Sequence, residues 1–65
     1  MNYYVNNNAQ PNGDHEVHSD GCTYMPTNKT YLGSFNNCQD AVKAAKSYHT
    51  QVNGCAYCSS ACHTQ

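Results

Sequence analysis

Apolar and polar positions alternate in short runs along the first half of the chain and change to a helical spacing near residue 38. Residues 2–5 (NYYV) set two tyrosines beside a valine, a composition suited to a strand. The NNNAQPNG run over 6–13, dense in Asn, Pro and Gly, is the strongest turn signal in the chain. Residues 15–18 (HEVH) alternate again, so these two segments predict a hairpin with a wide loop. SDGC at 19–22 predicts a tight polar turn that ends on a cysteine. A further turn is expected over 26–29, and Thr30, Tyr31 and Leu32 suit a third strand.

The helix carries the clearest pattern. Cys38, Ala41, Val42, Ala45, Tyr48, His49 and Val52 fall near i, i+3, i+4, i+7 spacing and give it one apolar face, with Lys43 and Lys46 outside that stripe. Asn36 or Asn37 can cap it by offering a side-chain oxygen to orphan backbone amides. Asp40 in the first turn suits the positive end of the dipole. Asn53 and Gly54 tolerate left-handed backbone and end the helical region. A short turn or helix is expected over 59–62. The fold class is therefore α+β, with two or three short antiparallel strands and one main helix. Neither an internal repeat nor a domain boundary breaks residues 1–65, which are expected to form one domain.

The core that this pattern offers is thin. The chain has one Leu, no Ile, one Phe, no Trp and four Val among 65 residues. At this size a core alone rarely supplies more than ~3–5 kcal/mol, and small folds usually add a covalent or metal staple. Six tyrosines can cover a core with their rings, but folding then depends on what the five cysteines do.

Gly54-Cys55-Ala56-Tyr57-Cys58 is a C-x2-C knuckle, whose two-residue spacer lets the backbone curl until both sulfurs reach one ion at about 2.3 Å. Such a pair supplies half of a tetrahedral site. His18 and Cys22, separated by three residues across a glycine-containing turn, are the natural other half. The expected centre is one structural Zn²⁺ on His18, Cys22, Cys55 and Cys58, tying the hairpin to the segment after the helix. Cys62 and His63 leave an alternative open: Cys55, Cys58, Cys62 and His63 form a compact cluster of their own, and Cys62 can replace His18 if the last segment is helical. That cluster would staple nothing distant and would leave Cys22 without a role. Cys38, on the apolar side of the helix start, is expected to be a small buried hydrophobe. Pairing with Cys62 under oxidising conditions is its minority reading.

Other constellations lead nowhere. His15-Glu16-Val17-His18 has the letters of a metalloprotease motif, but its histidines stand three apart in a strand rather than four apart on a helix. His49 is expected to pack or to cap carbonyls. Three Lys, no Arg and four acidic residues give a net charge of −1, which three zinc-bound thiolates would take to about −2. That is a poor footprint for nucleic acid, where affinity follows the number of phosphates neutralised. The N-terminus shows no basic segment followed by an apolar run, and no stretch approaches the ~20 apolar residues of a membrane span. A cytoplasmic setting is expected by default, with reduced thiols available to metal.

The residues just described resemble the small zinc-binding module of the Ada-type methylphosphotriester repair proteins, a module also found on some secreted nucleases. The likeness runs over residues 15–58: His18 and Cys22, then Thr23-Tyr24-Met25, Gly33-Ser34-Phe35, the helix from Cys38, and finally Cys55 and Cys58. It implies a zinc fold. In that family the methyl-accepting cysteine is the first ligand, and here the position is His18, whose imidazole is not the thiolate that methyl transfer uses. The whole chain also resembles a group of small bacterial proteins through its NAQ-x-NGDHEVH segment and its GC-x2-C-x3-CH ending.

Four protein ligands close a zinc site to catalytic water, and no nucleophile–base pair or phosphate loop is present. The expectation is therefore a non-enzymatic zinc-binding module that acts on another protein. A nucleic-acid-binding Ada-like module and a thiol redox or metal-handling protein are its rivals.

Overall fold

The computed structural model describes residues 1–64, so Gln65, the last residue of the expected domain, lies outside the described residues. The described chain runs β1 (Asn2–Asn6), β2 (His15–Ser19), β3 (Lys29–Ser34), α1 (Cys38–Ala45), β4 (Val52–Gly54) and a 3-10 turn at Ser60–Cys62. The class is α+β. The strands form one sheet in the order β3-β1-β2-β4, with β1 antiparallel to β2 and β3, and β4 parallel to β2.

Strand alternation sorts the side chains by face. Val5 and Val17 stand opposite each other in the β1–β2 register, and both are fully buried. With Tyr3 they meet Cys38, Ala41 and Ala45 of α1 to form the core, and Leu32, Phe35, Val42, Val52 and Cys62 pack around it. Two alanines on the helix's inner face let it lie close to the sheet, which is how so few large side chains can fill the layer between them. Of the tyrosines expected to cover the core, Tyr3 does so, whereas Tyr24, Tyr31, Tyr48 and Tyr57 are exposed.

The helix begins as its sequence indicates and ends sooner. Asn37 caps it, its Oδ1 accepting the Asp40 amide at 2.8 Å. The expected helical region running to Asn53 is corrected: α1 stops at Ala45. Beyond it the amides of Lys46, Ser47 and Tyr48 bond three residues back rather than four, so the last turn tightens and stops. Ser, Tyr, His and Thr at 47–50 are weaker helix formers than the alanines before them. The chain turns there, and residues 52–54 enter the sheet beside β2 instead. His15 and Val52 are partners in that parallel register. Among the described residues no helix is long and apolar enough to cross a membrane.

A disulfide joins Cys38 to Cys62, which corrects the expectation that Cys38 is a simple buried hydrophobe among reduced thiols. Their Cα atoms are 6.2 Å apart, within bridging range. Gly54 makes the approach possible. A Cβ placed there would lie 2.6 Å from Cys62 Cβ and 2.7 Å from the Ser59 carbonyl oxygen, so only glycine lets the 3-10 turn rest on β4.

Candidate metal centre

Three backbone features bring the donors together. At the end of β2, Ser19 to Cys22 forms a tight turn closed by the Cys22 amide on the Ser19 carbonyl at 3.2 Å. Gly21 takes φ +83° at its third position, the left-handed value that a type II turn requires and that glycine adopts freely. The turn carries Cys22 back over His18. On the neighbouring strand, the Cys55 amide bonds the Val17 carbonyl at 2.9 Å and extends the β2–β4 pairing by one residue. The Ser59 amide then bonds the Cys55 carbonyl at 2.9 Å, curling the knuckle so that Cys58 comes to the same place as Cys55.

The donor atoms of His18, Cys22, Cys55 and Cys58 all lie within 4.8 Å of one another, a grouping that could hold a metal ion. Two of its edges are close contacts: Cys22 Sγ to Cys55 Sγ is 4.0 Å, and Cys58 Sγ to His18 Nδ1 is 3.7 Å. A tetrahedral ion with metal–sulfur bonds of about 2.3 Å and metal–nitrogen bonds of about 2.0 Å needs S···S edges near ~3.8 Å and S···N edges near ~3.5 Å. Both observed edges are within a few tenths of an ångström of those values.

The electrostatics of the cluster suit thiolate formation at one position. Burial pushes the Cys58 thiol up. Hydrogen bonds from the Cys22 thiol, from the Ser19 backbone and side chain and from the Cys55 thiol outweigh that effect and hold Cys58 below its ordinary value. The Ser19 amide donates to its sulfur at 3.3 Å. Cys22 moves the other way, pushed up to about 11 by burial and then by its bond to Cys58. Burial also lowers His18, against a raising contribution from Glu16. The imidazole is thus held neutral, the form that binds metal.

The structure places the alternative donors elsewhere. Cys62 is in the disulfide, and His63 donates from Nδ1 to the Gly54 carbonyl at 3.0 Å, so the local cluster at the C-terminal end does not assemble. His15 and His18 lie an odd number of residues apart in β2 and leave the sheet on opposite faces. His15 stacks on His49 with ring centroids 3.7 Å apart, while His18 joins the cysteines and is 1 % exposed.

Two features of the region had no signal in the sequence. Tyr24 and Tyr57, one on each cysteine-bearing loop, pack against each other at 4.5 Å while remaining 57 % and 73 % exposed. Asp14 is buried and accepts from Gln51 at 2.7 Å, Asn12 at 3.2 Å and Asn53 at 3.3 Å, pinning the wide β1–β2 loop to β4. Set against known protein families, curated proteins and solved structures, the chain matches none.

Proposed function

We propose that this chain is a small interaction module whose fold is closed by one Zn²⁺ on His18, Cys22, Cys55 and Cys58, and that it works by binding another protein rather than by catalysis. The observation that carries the reading is the tetrad itself: three thiols and one imidazole, from the end of β2 with its turn and from the knuckle after β4, gathered within 4.8 Å. Soft sulfur donors with one imidazole in tetrahedral array favour zinc among common divalent ions. Four protein donors leave no open coordination position, which supports a structural rather than a hydrolytic role. The Tyr24–Tyr57 pair supplies a candidate contact surface. Its rings are exposed, they sit on the loops that zinc would fix, and aromatic residues of this kind are enriched in interface cores.

The same four positions carry the resemblance to the Ada-type module. Two observations weigh against its DNA-binding use: His18 stands at the nucleophile's position, and three lysines are few for gripping phosphates. The rival redox reading rested on Cys38 and Cys62 as spare thiols, and here they are bonded to each other. It turns on whether that one bond is reduced and re-formed, which thiol counting on the zinc-loaded protein would test.

The test is native mass spectrometry of zinc-supplemented protein before and after chelation, with circular dichroism on both samples. One Zn²⁺ per chain and loss of structure on its removal are expected. A metal-free chain that keeps its fold in chelator would end the reading. A gel shift with DNA at low salt should show no complex, and a clear shift there would move the reading to the Ada-like alternative.

A further inference from the structure

We infer that Glu16 is a positioning residue of the metal site: it holds the Nε2–H of His18 and thereby makes Nδ1 the nitrogen that faces the metal. This rests on the zinc reading above. The two ring nitrogens of His18 meet different surroundings. Nδ1 is 3.7 Å from Cys58 Sγ, inside the tetrad. Nε2 is fully buried and makes no hydrogen bond. A buried polar group without a partner is costly and calls for an explanation. Glu16 Oε1 stands 3.5 Å away.

The strand explains why Glu16 is there. Residues two apart in β2 share a face and lie about 7 Å apart along it, a span that a glutamate side chain covers. The Glu16 side chain is 18 % exposed, so its charge is only partly screened by water. Metal on Nδ1 requires the tautomer with hydrogen on Nε2, and a modest rotation of Glu16 turns the 3.5 Å approach into a charge-assisted hydrogen bond of about 2.8 Å. A carboxylate on the far nitrogen of a ligating histidine fixes the ring and raises its basicity. The HEVH segment then has a use unlike that of a protease motif. His18 faces the metal, Glu16 orients it, Val17 fills the core on the opposite face, and His15 stacks on His49.

The experiment uses the zinc-loaded chain in three forms: unmodified, Glu16→Ala and Glu16→Gln. Zinc affinity is read by competition with a chromophoric chelator, and the His18 tautomer by long-range proton–nitrogen correlation spectra of the same samples. The unmodified chain should show Nδ1 bound and Nε2 protonated. Glu16→Ala should weaken zinc binding about 10- to 100-fold and move the His18 Nε2 resonance. Glu16→Gln keeps an acceptor oxygen without the charge and should fall between the two. It carries the test if the Ala variant does not fold. A Glu16 that served only the fold would change the melting temperature and leave the His18 nitrogen shifts in place. Affinity within twofold of the unmodified chain, unchanged His18 shifts, or coordination through Nε2 would each overturn the assignment and leave the tetrad standing. An unmodified chain that takes up no zinc would remove the tetrad reading, and Glu16's role with it.

Discussion

On the helix side of the sheet two cysteines are joined directly, Cys38 to Cys62, closing a loop of 24 residues. On the other side three cysteines stay apart at non-bonded distance, and His18 completes their number. Contacts within that tetrad bridge 33 residues between Cys22 and Cys55 and 40 between His18 and Cys58. The two groups explain how an odd count of five cysteines leaves none over: two form a bond, and three take a histidine as partner. They also act on folding differently. A disulfide works mainly by restricting the unfolded chain, metal or no metal. A tetrad contributes only when its ion is bound to the folded chain. With zinc bound as proposed, the tetrad would anchor the hairpin as the disulfide anchors the helix, and either alone would leave part of this thin core unsecured.

The comparison breaks most visibly at Cys58, whose sulfur is met by His18, Ser19 and Ser59. Cys58→Ser should abolish stoichiometric zinc binding and, with it, the folded state. Structural zinc in small domains contributes an apparent ~10–16 kcal/mol at neutral pH, more than a chain of this size has in reserve. Dispersed amide spectra from Cys58→Ser in chelator would show that the tetrad is not what holds the fold. The disulfide side should respond more mildly. Cys38→Ala with Cys62→Ala removes a 24-residue cross-link, for which chain entropy predicts a loss of about 3.5 kcal/mol. Zinc stoichiometry should remain one per chain. A double variant that loses zinc as well would show the two staples to be a single cooperative unit.

Gly54 is where the two groups meet, preceding Cys55 in the chain and lying under Cys62. Gly54→Ala puts a methyl 2.6 Å from Cys62 Cβ and 2.9 Å from its carbonyl carbon, atoms that the disulfide and the turn hold in place. A loss of about 1–3 kcal/mol is expected from such overpacking, read as a lower denaturation midpoint. If the substitution instead weakens zinc binding at unchanged midpoint, the strain is being passed to Cys55 rather than to the 3-10 turn.

How much of this was legible beforehand depends on the range of the signal. The three antiparallel strands, the Asn37 cap and the start of the helix rest on local alternation, capping chemistry and turn residues, all written within a few positions. The tetrad was legible because C-x2-C and a second pair three residues apart are spacings set by the ion's size. β4 was not. VNG offers three residues with no alternation to detect, and its partner His15 lies far back in the chain. The helix's end was misjudged because Tyr48, His49 and Val52 continue the apolar spacing while serving other ends: Tyr48 is exposed, His49 stacks on His15, and Val52 is in the sheet. The Cys38–Cys62 pairing depends on Gly54 allowing a close approach, and that is a property of the packing rather than of cysteine spacing.

The smallest expected effect sharpens the contrast on the helix side, where the stacked His15 and His49 rings are clear of the tetrad. Burial, and then the neighbouring His15, lower His49 below its ordinary value of about 6.5. Its Nε2 lies 3.2 Å from Asn7 Oδ1 and His15 Nδ1 lies 2.9 Å from the Asn6 carbonyl, so each ring is held by an amide oxygen rather than by a carboxylate. The sign follows from linkage. A histidine whose folded pKa is depressed contributes stability that is present above its unfolded pKa and is lost as pH falls through the lowered folded value. Following the His49 ring signal in zinc-loaded protein should therefore give a midpoint below 6.5. In His15→Phe, which keeps a flat ring in the stack and removes the charge, the midpoint should rise but stay short of 6.5, because burial remains. The unmodified chain should lose a little stability through His49 as pH falls below 6.5, beside the larger loss that proton competition for the zinc-bound thiolates brings. A His49 midpoint at or above 6.5 would mean that the stacked rings bear a charge readily, and that the helix side is no more proton-sensitive than the exposed surface.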